Sequence, residues 1–126
     1  MDTRTNLVAL GAADFQKAID TEVIVFVDFW ATWCAPCTQF AKVYERVAEQ
    51  FSTILFTTVD IEHAEKLAEM FNIQSVPHLM VFKQGIAIYS DSGALPESSL
   101  KELAEQALVA DVRAIRKQLD EEEAGC

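Results

Sequence analysis

The feature that most restricts what this chain can fold into is the run Val23-Ile24-Val25-Phe26-Val27, apolar without polar alternation. β-branched and aromatic residues in such a run fit a central parallel strand covered on both faces. Directly after it come Asp28-Phe29-Trp30-Ala31-Thr32-Trp33-Cys34-Ala35-Pro36-Cys37. Phe40, Tyr44, Val47, Ala48 and Phe51 then recur at i, i+4, i+7, i+8 and i+11 from Phe40, one stripe of an amphipathic helix. Two cysteines separated by two residues thus stand between a buried strand and a helix, a context that gives the pair a redox meaning.

The rest of the chain supplies matching elements. Residues 7–10 read as a short first strand, and Gly11 to Phe15 open a helix with Phe15 and Ile19 on one face. Residues 54–61 read as another strand, and Glu62 onward as a helix with Ala64, Leu67, Ala68 and Phe71 inward. After Val76-Pro77 a strand resumes over 78–82. Lys83-Gln84-Gly85 makes a tight connection to a strand over 86–89, so these two are expected to be antiparallel neighbours. Pro96 suits the first turn of a last helix. The order implies an α/β fold with a mixed central sheet and helices on both faces.

Composition narrows the function. A chain of 126 residues with 51% apolar content is expected to be a single domain over 1–126. A net charge of −10 argues against nucleic acid as a partner, which clustered Lys and Arg would be needed to bind. The longest aliphatic or aromatic run is far short of a membrane span, so no membrane partner is expected. The start of the chain has no signal-peptide pattern, and three cysteines are too few for a secreted disulfide scaffold. A cytoplasmic location follows as the expectation, with a vicinal thiol pair that is catalytic or metal-binding rather than structural.

Each candidate residue has a plain alternative. Cys34, just ahead of the helix, is placed where unpaired N–H groups and the helix dipole stabilise a thiolate, and is expected to be the attacking nucleophile. Cys37, inside the first turn and more covered, is placed to resolve a mixed disulfide. The alternative is half a zinc site, but Cys126, His63 and His78 supply no second close pair, and no metal is expected. Asp28 is either a strand-end carboxylate turned to solvent or a buried base for the Cys37 thiol. Pro77 is either an ordinary loop proline or a cis one. Trp33 is either a surface aromatic or a flat lip over the thiol. His63 is expected on an exposed helix face, and the orientation of His78 is open.

Taken together, the stretch 27–37, Val76-Pro77, Phe82-Lys83-Gln84-Gly85 and Gly93-Ala94-Leu95 resemble the thioredoxin family, over a core of about residues 5–108. The resemblance implies the thioredoxin fold and a thiol-disulfide oxidoreductase that reduces protein disulfides through a Cys34/Cys37 cycle. No cofactor would be bound, and a thioredoxin reductase using NADPH would recharge the pair. It implies Cys34 as nucleophile, Cys37 as resolving thiol, Asp28 as buried acid and Pro77 as a cis-proline facing the thiols. The Val76 backbone would pair with a client strand, with Trp33, Ala35, Pro36, Gly93 and Ala94 lining the same surface. The chain departs from the family pattern at Ala35 for Gly, Thr58 for Lys, Lys42 for a helix-kinking Pro and His78 for Thr. Ala35 bears on the redox potential, Thr58 leaves Asp28 without a cationic neighbour, and Lys42 predicts a straighter helix. Two other readings compete: a thioredoxin-fold binding or chaperone module, and a redox partner dedicated to one client.

Residues 109–126 lie beyond the family's usual length, as a helical extension with an acidic tail. Leu100, Leu103, Ala104, Ala107 and Leu108 are expected to pack on the body, and Val112, Ile115 and Leu119 continue the spacing. The plain expectation is a monomer with one long final helix ending in solvated Asp120 to Glu123. The alternative is an apolar stripe over 108–119 for weak self-association. Cys126 reads as incidental, with an intermolecular disulfide as its other use.

Overall fold

The computed structural model describes residues 7–124; the expectation for Cys126 falls outside them. The elements are β1 (Leu7–Ala9), α1 (Ala12–Thr21), β2 (Ile24–Trp30), α2 (Ala35–Ala48), β3 (Leu55–Asp60), α3 (Glu65–Met70), β4 (His78–Lys83), β5 (Ile86–Ser92), α4 (Glu97–Val109) and α5 (Arg113–Ala124). The five strands form one sheet in the order β1-β3-β2-β4-β5. β3 runs parallel to β1 and β2, whereas β4 runs antiparallel to both β2 and β5. The apolar run thus occupies the centre of a mixed sheet, buried at every position from Ile24 to Phe29.

Strand alternation sorts the core into two layers. On one face Phe26 packs with Phe40, Tyr44 and Val47 of α2 and with Leu100 and Ala104 of α4. On the other, Val25, Val27 and Phe29 pack with Phe15 and Ile19 of α1 and Leu67 of α3. Asp28 shares the parity of Phe26, and so the pleat turns it toward α2. Lys83-Gln84-Gly85-Ile86 is the expected hairpin turn, with Gln84 and Gly85 both at positive φ, 52° and 82°. That backbone twist matches the twist of the flanking strands.

The structure modifies several sequence expectations. α3 begins at Glu65, not near Glu62, because the Asp60 carboxylate accepts the Glu62 N–H at 2.9 Å and holds 61–63 in a turn. His63 is exposed, as expected, but lies in that turn with Nδ1 2.8 Å from Asp60 Oδ2. β5 continues to Ser92. α2 runs unbroken past Lys42.

The C-terminal helical segment is present and is divided in two. Ala110 leaves the helix with φ −64° and ψ 136°, and two of the carbonyls that α4 would otherwise strand, together with that of Ala110, are taken by one side chain. Lys83 Nζ, at the end of β4, donates to the carbonyls of Ala107 at 2.7 Å, Leu108 at 3.1 Å and Ala110 at 2.6 Å. Asp111 Oδ1 accepts the Arg113 N–H and starts α5. Leu100, Ala104 and Ala107 pack inward as expected, but Leu108 at this elbow is exposed.

Candidate active site

Where β2 ends at Trp30, the chain crosses to α2 through residues 31–33 and arrives at Cys34 as the helix N-cap. Pro36 sits in the first turn of α2, where a missing N–H costs no bond. Cys34 and Cys37 are joined as a disulfide with their Cα atoms 5.3 Å apart. The Cys37 N–H donates to Cys34 Sγ at 3.1 Å, so the sulfur satisfies one of the four orphan donors of the helix start. Negative charge on that sulfur is stabilised by the same N–H and by the positive end of the helix.

The expected difference in cover between the two cysteines is small, 4% exposure for Cys34 and 3% for Cys37. Access to the pair is set by its surroundings. Trp33 stands out at 67% exposure, next to the disulfide in the chain. The Thr32 N–H and hydroxyl both donate to Glu62 Oε1, at 3.3 and 2.8 Å, which ties this loop to the turn after β3. Ala31, Cys34 and Cys37 form a small apolar cluster on which Val76 packs.

The Val76–Pro77 peptide is cis, which decides the alternative the sequence left open. Cys34 Sγ lies 3.6 Å from the Val76 carbonyl oxygen, so this turn and the disulfide are in contact although 42 residues separate them. The Gly93 N–H donates to the Pro77 carbonyl at 2.8 Å, and Gly93 has φ 113°, a conformation that favours glycine. Val76 thus touches the disulfide and Gly93 is tied to the neighbouring Pro77, with Trp33, Gly93 and Ala94 exposed.

Behind the disulfide is Asp28, 2% exposed, and its Oδ1 makes no hydrogen bond. Burial pushes its pKa up from 3.8 to about 8, because the charged carboxylate loses its hydration there. Asp28, Trp30, Cys37, Thr38, Ala41 and Thr58 line one cavity of about 320 Å³. Thr58 stands directly opposite Asp28 in the β2–β3 register and brings a hydroxyl instead of a cation. Of the two readings of Asp28, the structure has the buried one.

His78 lies on the opposite face of the sheet. Its ring is edge-on to Phe29 with centroids 6.3 Å apart, and Nε2 is 2.8 Å from Ser90 Oγ. Burial lowers its pKa. Among the described residues, no group of three His, Cys, Asp or Glu side chains is arranged to hold a metal ion. Sequence reasoning missed the Thr32–Glu62 tie and the places of Trp30, Thr38 and Ala41 around the cavity. No short-range signal marks a contact between residues 30 apart in the chain.

A disulfide at a helix N-cap, flanked by an accessible backbone edge and backed by a buried carboxyl group, defines the chain as a thiol-disulfide oxidoreductase. Comparison with known proteins agrees. The Thioredoxin family profile matches residues 6–106. A Streptomyces coelicolor protein described as putative thioredoxin 2 is 38% identical over 120 residues, which cover 95% of this chain and 90% of that protein. A match of that length necessarily runs past residue 106. Among solved structures, a thioredoxin from Plasmodium falciparum superposes with a TM-score of 0.73 at 33% identity, over 79% of this chain and 96% of that one. A single-site mutant of a thioredoxin from Halobacterium salinarum gives 0.77 at 26% identity, over 87% and 99%. The chain belongs to the thioredoxin family, and its activity is the reduction of protein disulfides by the Cys34/Cys37 pair.

Proposed function

We propose a division of roles among the site residues in which Cys34 attacks and Cys37 resolves. In the reduced protein the Cys34 thiolate attacks one sulfur of a client disulfide, forming a mixed disulfide and releasing one client thiolate. The Cys37 thiol then loses its proton to the Asp28 carboxylate and attacks Cys34 Sγ. That step expels the second client thiolate and closes the Cys34–Cys37 bond, so two electrons have passed to the client. The observation that carries this reading is the Cys37 N–H donated to Cys34 Sγ at 3.1 Å, which favours charge on Cys34 over Cys37.

In this reading the client lies extended along Val76, whose carbonyl is 3.6 Å from Cys34 Sγ, with Pro77 setting the turn. Trp33, Ala35, Pro36, Gly93 and Ala94 form the apolar floor. A client strand on this edge gains main-chain hydrogen bonds that do not depend on its sequence, which suits a reductase of many clients. Electrons return to the pair from a thioredoxin reductase that draws on NADPH, in the cytoplasm, and residues 1–126 act as a single domain.

The Cys37→Ser variant tests the roles. Without a resolving thiol, Cys34 should hold clients as mixed disulfides that mass spectrometry identifies in a lysate. Many clients are expected. A single captured protein would favour the dedicated redox partner, and an empty trap would contradict the role given to Cys34.

A further inference from the structure

The cavity behind the disulfide has room for more than the proton transfer assigned to Asp28. At about 320 Å³ it lies at the small end of the roughly 300–1,000 Å³ of small-molecule sites. Its walls combine apolar surface from Trp30, Cys37 and Ala41 with the hydroxyls of Thr38 and Thr58 and the carboxyl group of Asp28. Oδ1 of that carboxyl group is buried and makes no hydrogen bond. Tyr44 on α2, whose pKa is raised by burial and by the Asp28 charge, does not serve it, since its hydroxyl donates to the Thr57 carbonyl at 2.7 Å.

The chemistry of these walls selects among ligands. No lining residue carries a positive charge, so an anion finds no partner there. One carboxyl group and two hydroxyls fall short of the roughly six oxygen ligands that a divalent cation takes. A primary ammonium brings three N–H donors and no acceptor, and Asp28, Thr38 and Thr58 offer it three side chains with acceptor oxygens. An alkyl stem on that nitrogen covers the apolar walls, as the stem of a lysine covers apolar surface while its head reaches a polar group. The net charge of −10 concentrates cations around the molecule.

We propose that this cavity is a binding site for a small primary alkylammonium, its nitrogen on the Asp28 carboxylate and its stem against Trp30 and Ala41. Thr58 stands directly opposite Asp28 in the β2–β3 register, and its short side chain leaves room for the ammonium beside the carboxylate. The bound cation holds Asp28 ionised and supplies the hydrogen bond that Oδ1 otherwise lacks. The client edge is reached through Cys34 and Val76, and neither lines the cavity. Amine and extended client therefore do not compete for the same contacts.

Titration of the oxidised protein with n-butylamine at constant chloride, followed by NMR of the backbone amides of Asp28, Thr38, Ala41 and Thr58, tests this. Saturable shifts with a midpoint between about 1 and 50 mM are expected at about pH 8.5. Below about pH 8 the amine displaces the Asp28 proton while keeping its own, so binding should be at least about tenfold weaker at about pH 6.5. 1-Butanol, which has the same stem without the charge, should bind at least about tenfold more weakly than the amine. Asp28→Asn should weaken amine binding by at least about tenfold, and Thr58→Lys should do the same by placing an ammonium of the chain in the cavity. These readouts are of binding alone and do not depend on the part Asp28 plays in thiol exchange. No saturable shift by about 100 mM amine at about pH 8.5 overturns the proposal. So does 1-butanol binding as tightly as the amine, which would make the cavity an apolar void only, or amine binding that survives either substitution.

Discussion

Among the described residues one carboxylic acid and one amine are buried, Asp28 at one end of the central strands and Lys83 at the other, and the fold treats them in opposite ways. Lys83, 8% exposed, donates to three backbone carbonyls and so closes the end of α4. Asp28, 2% exposed, has an Oδ1 that makes no hydrogen bond and faces a cavity shared with Cys37. A buried polar group whose bonds are made stabilises the fold, whereas one whose bonds are not made costs stability and keeps its reactivity. The far end uses its buried charge for architecture, and the disulfide end keeps its buried carboxyl available for proton transfer.

The comparison can be tested at both ends. The largest effect belongs to the redox pair: Cys34→Ser should lower turnover in a disulfide-reduction assay by at least about a thousandfold, since no other group supplies the nucleophile. Asp28→Asn comes next, with two effects of opposite sign. The folded protein holds the Asp28 proton until about pH 8, whereas the unfolded chain releases it near 3.8. Burial of Asp28 therefore costs stability increasingly as pH climbs from about 4 to about 8, with the cost constant above that. Asn should stabilise the protein by about 4 kcal/mol at pH 7, an advantage that vanishes below about pH 4. The same variant should slow mixed-disulfide resolution by about 10- to 100-fold. Unfolding curves across pH and rapid-quench kinetics read the two effects.

At the other end, Lys83→Met should destabilise by about 2 kcal/mol, because it leaves the α4 carbonyls unpaired while keeping much of the side-chain volume. Denaturant unfolding would show it, with reduction of clients unchanged per folded molecule. The smallest effect tests what Thr58 means. Thr58→Lys should bring a cation to Asp28 and move the midpoint of the resolution step's pH profile down by about one unit.

How much of this was legible in the sequence varies with the range of the forces involved. The unalternating run of β2, the stripe from Phe40 to Phe51 and the Gln84-Gly85 turn are local patterns, and each appears where the residues predict it. The placement of Cys34 at a helix start was legible for the same reason. The elbow at 110–112 was not, because the group that takes the α4 carbonyls is Lys83, distant in sequence, and no breaker residue marks the site. The isomer at Pro77 was not, since cis and trans differ by only about 1 kcal/mol and tertiary contacts choose. Asp28 was half legible: its position after a buried run suggested burial, but the absence of any bond to Oδ1 depends on Thr58, Thr38 and Ala41 converging from two other elements.

The most direct test of the contrast between the two ends is a titration of the Asp28 carboxyl carbon by NMR in the oxidised protein. A midpoint near 8 is expected, because burial without a partner holds the proton on. A midpoint near the ordinary 3.8 would mean that Asp28 is ionised and satisfied at neutral pH. That result would remove the unpaired carboxyl from the mechanism.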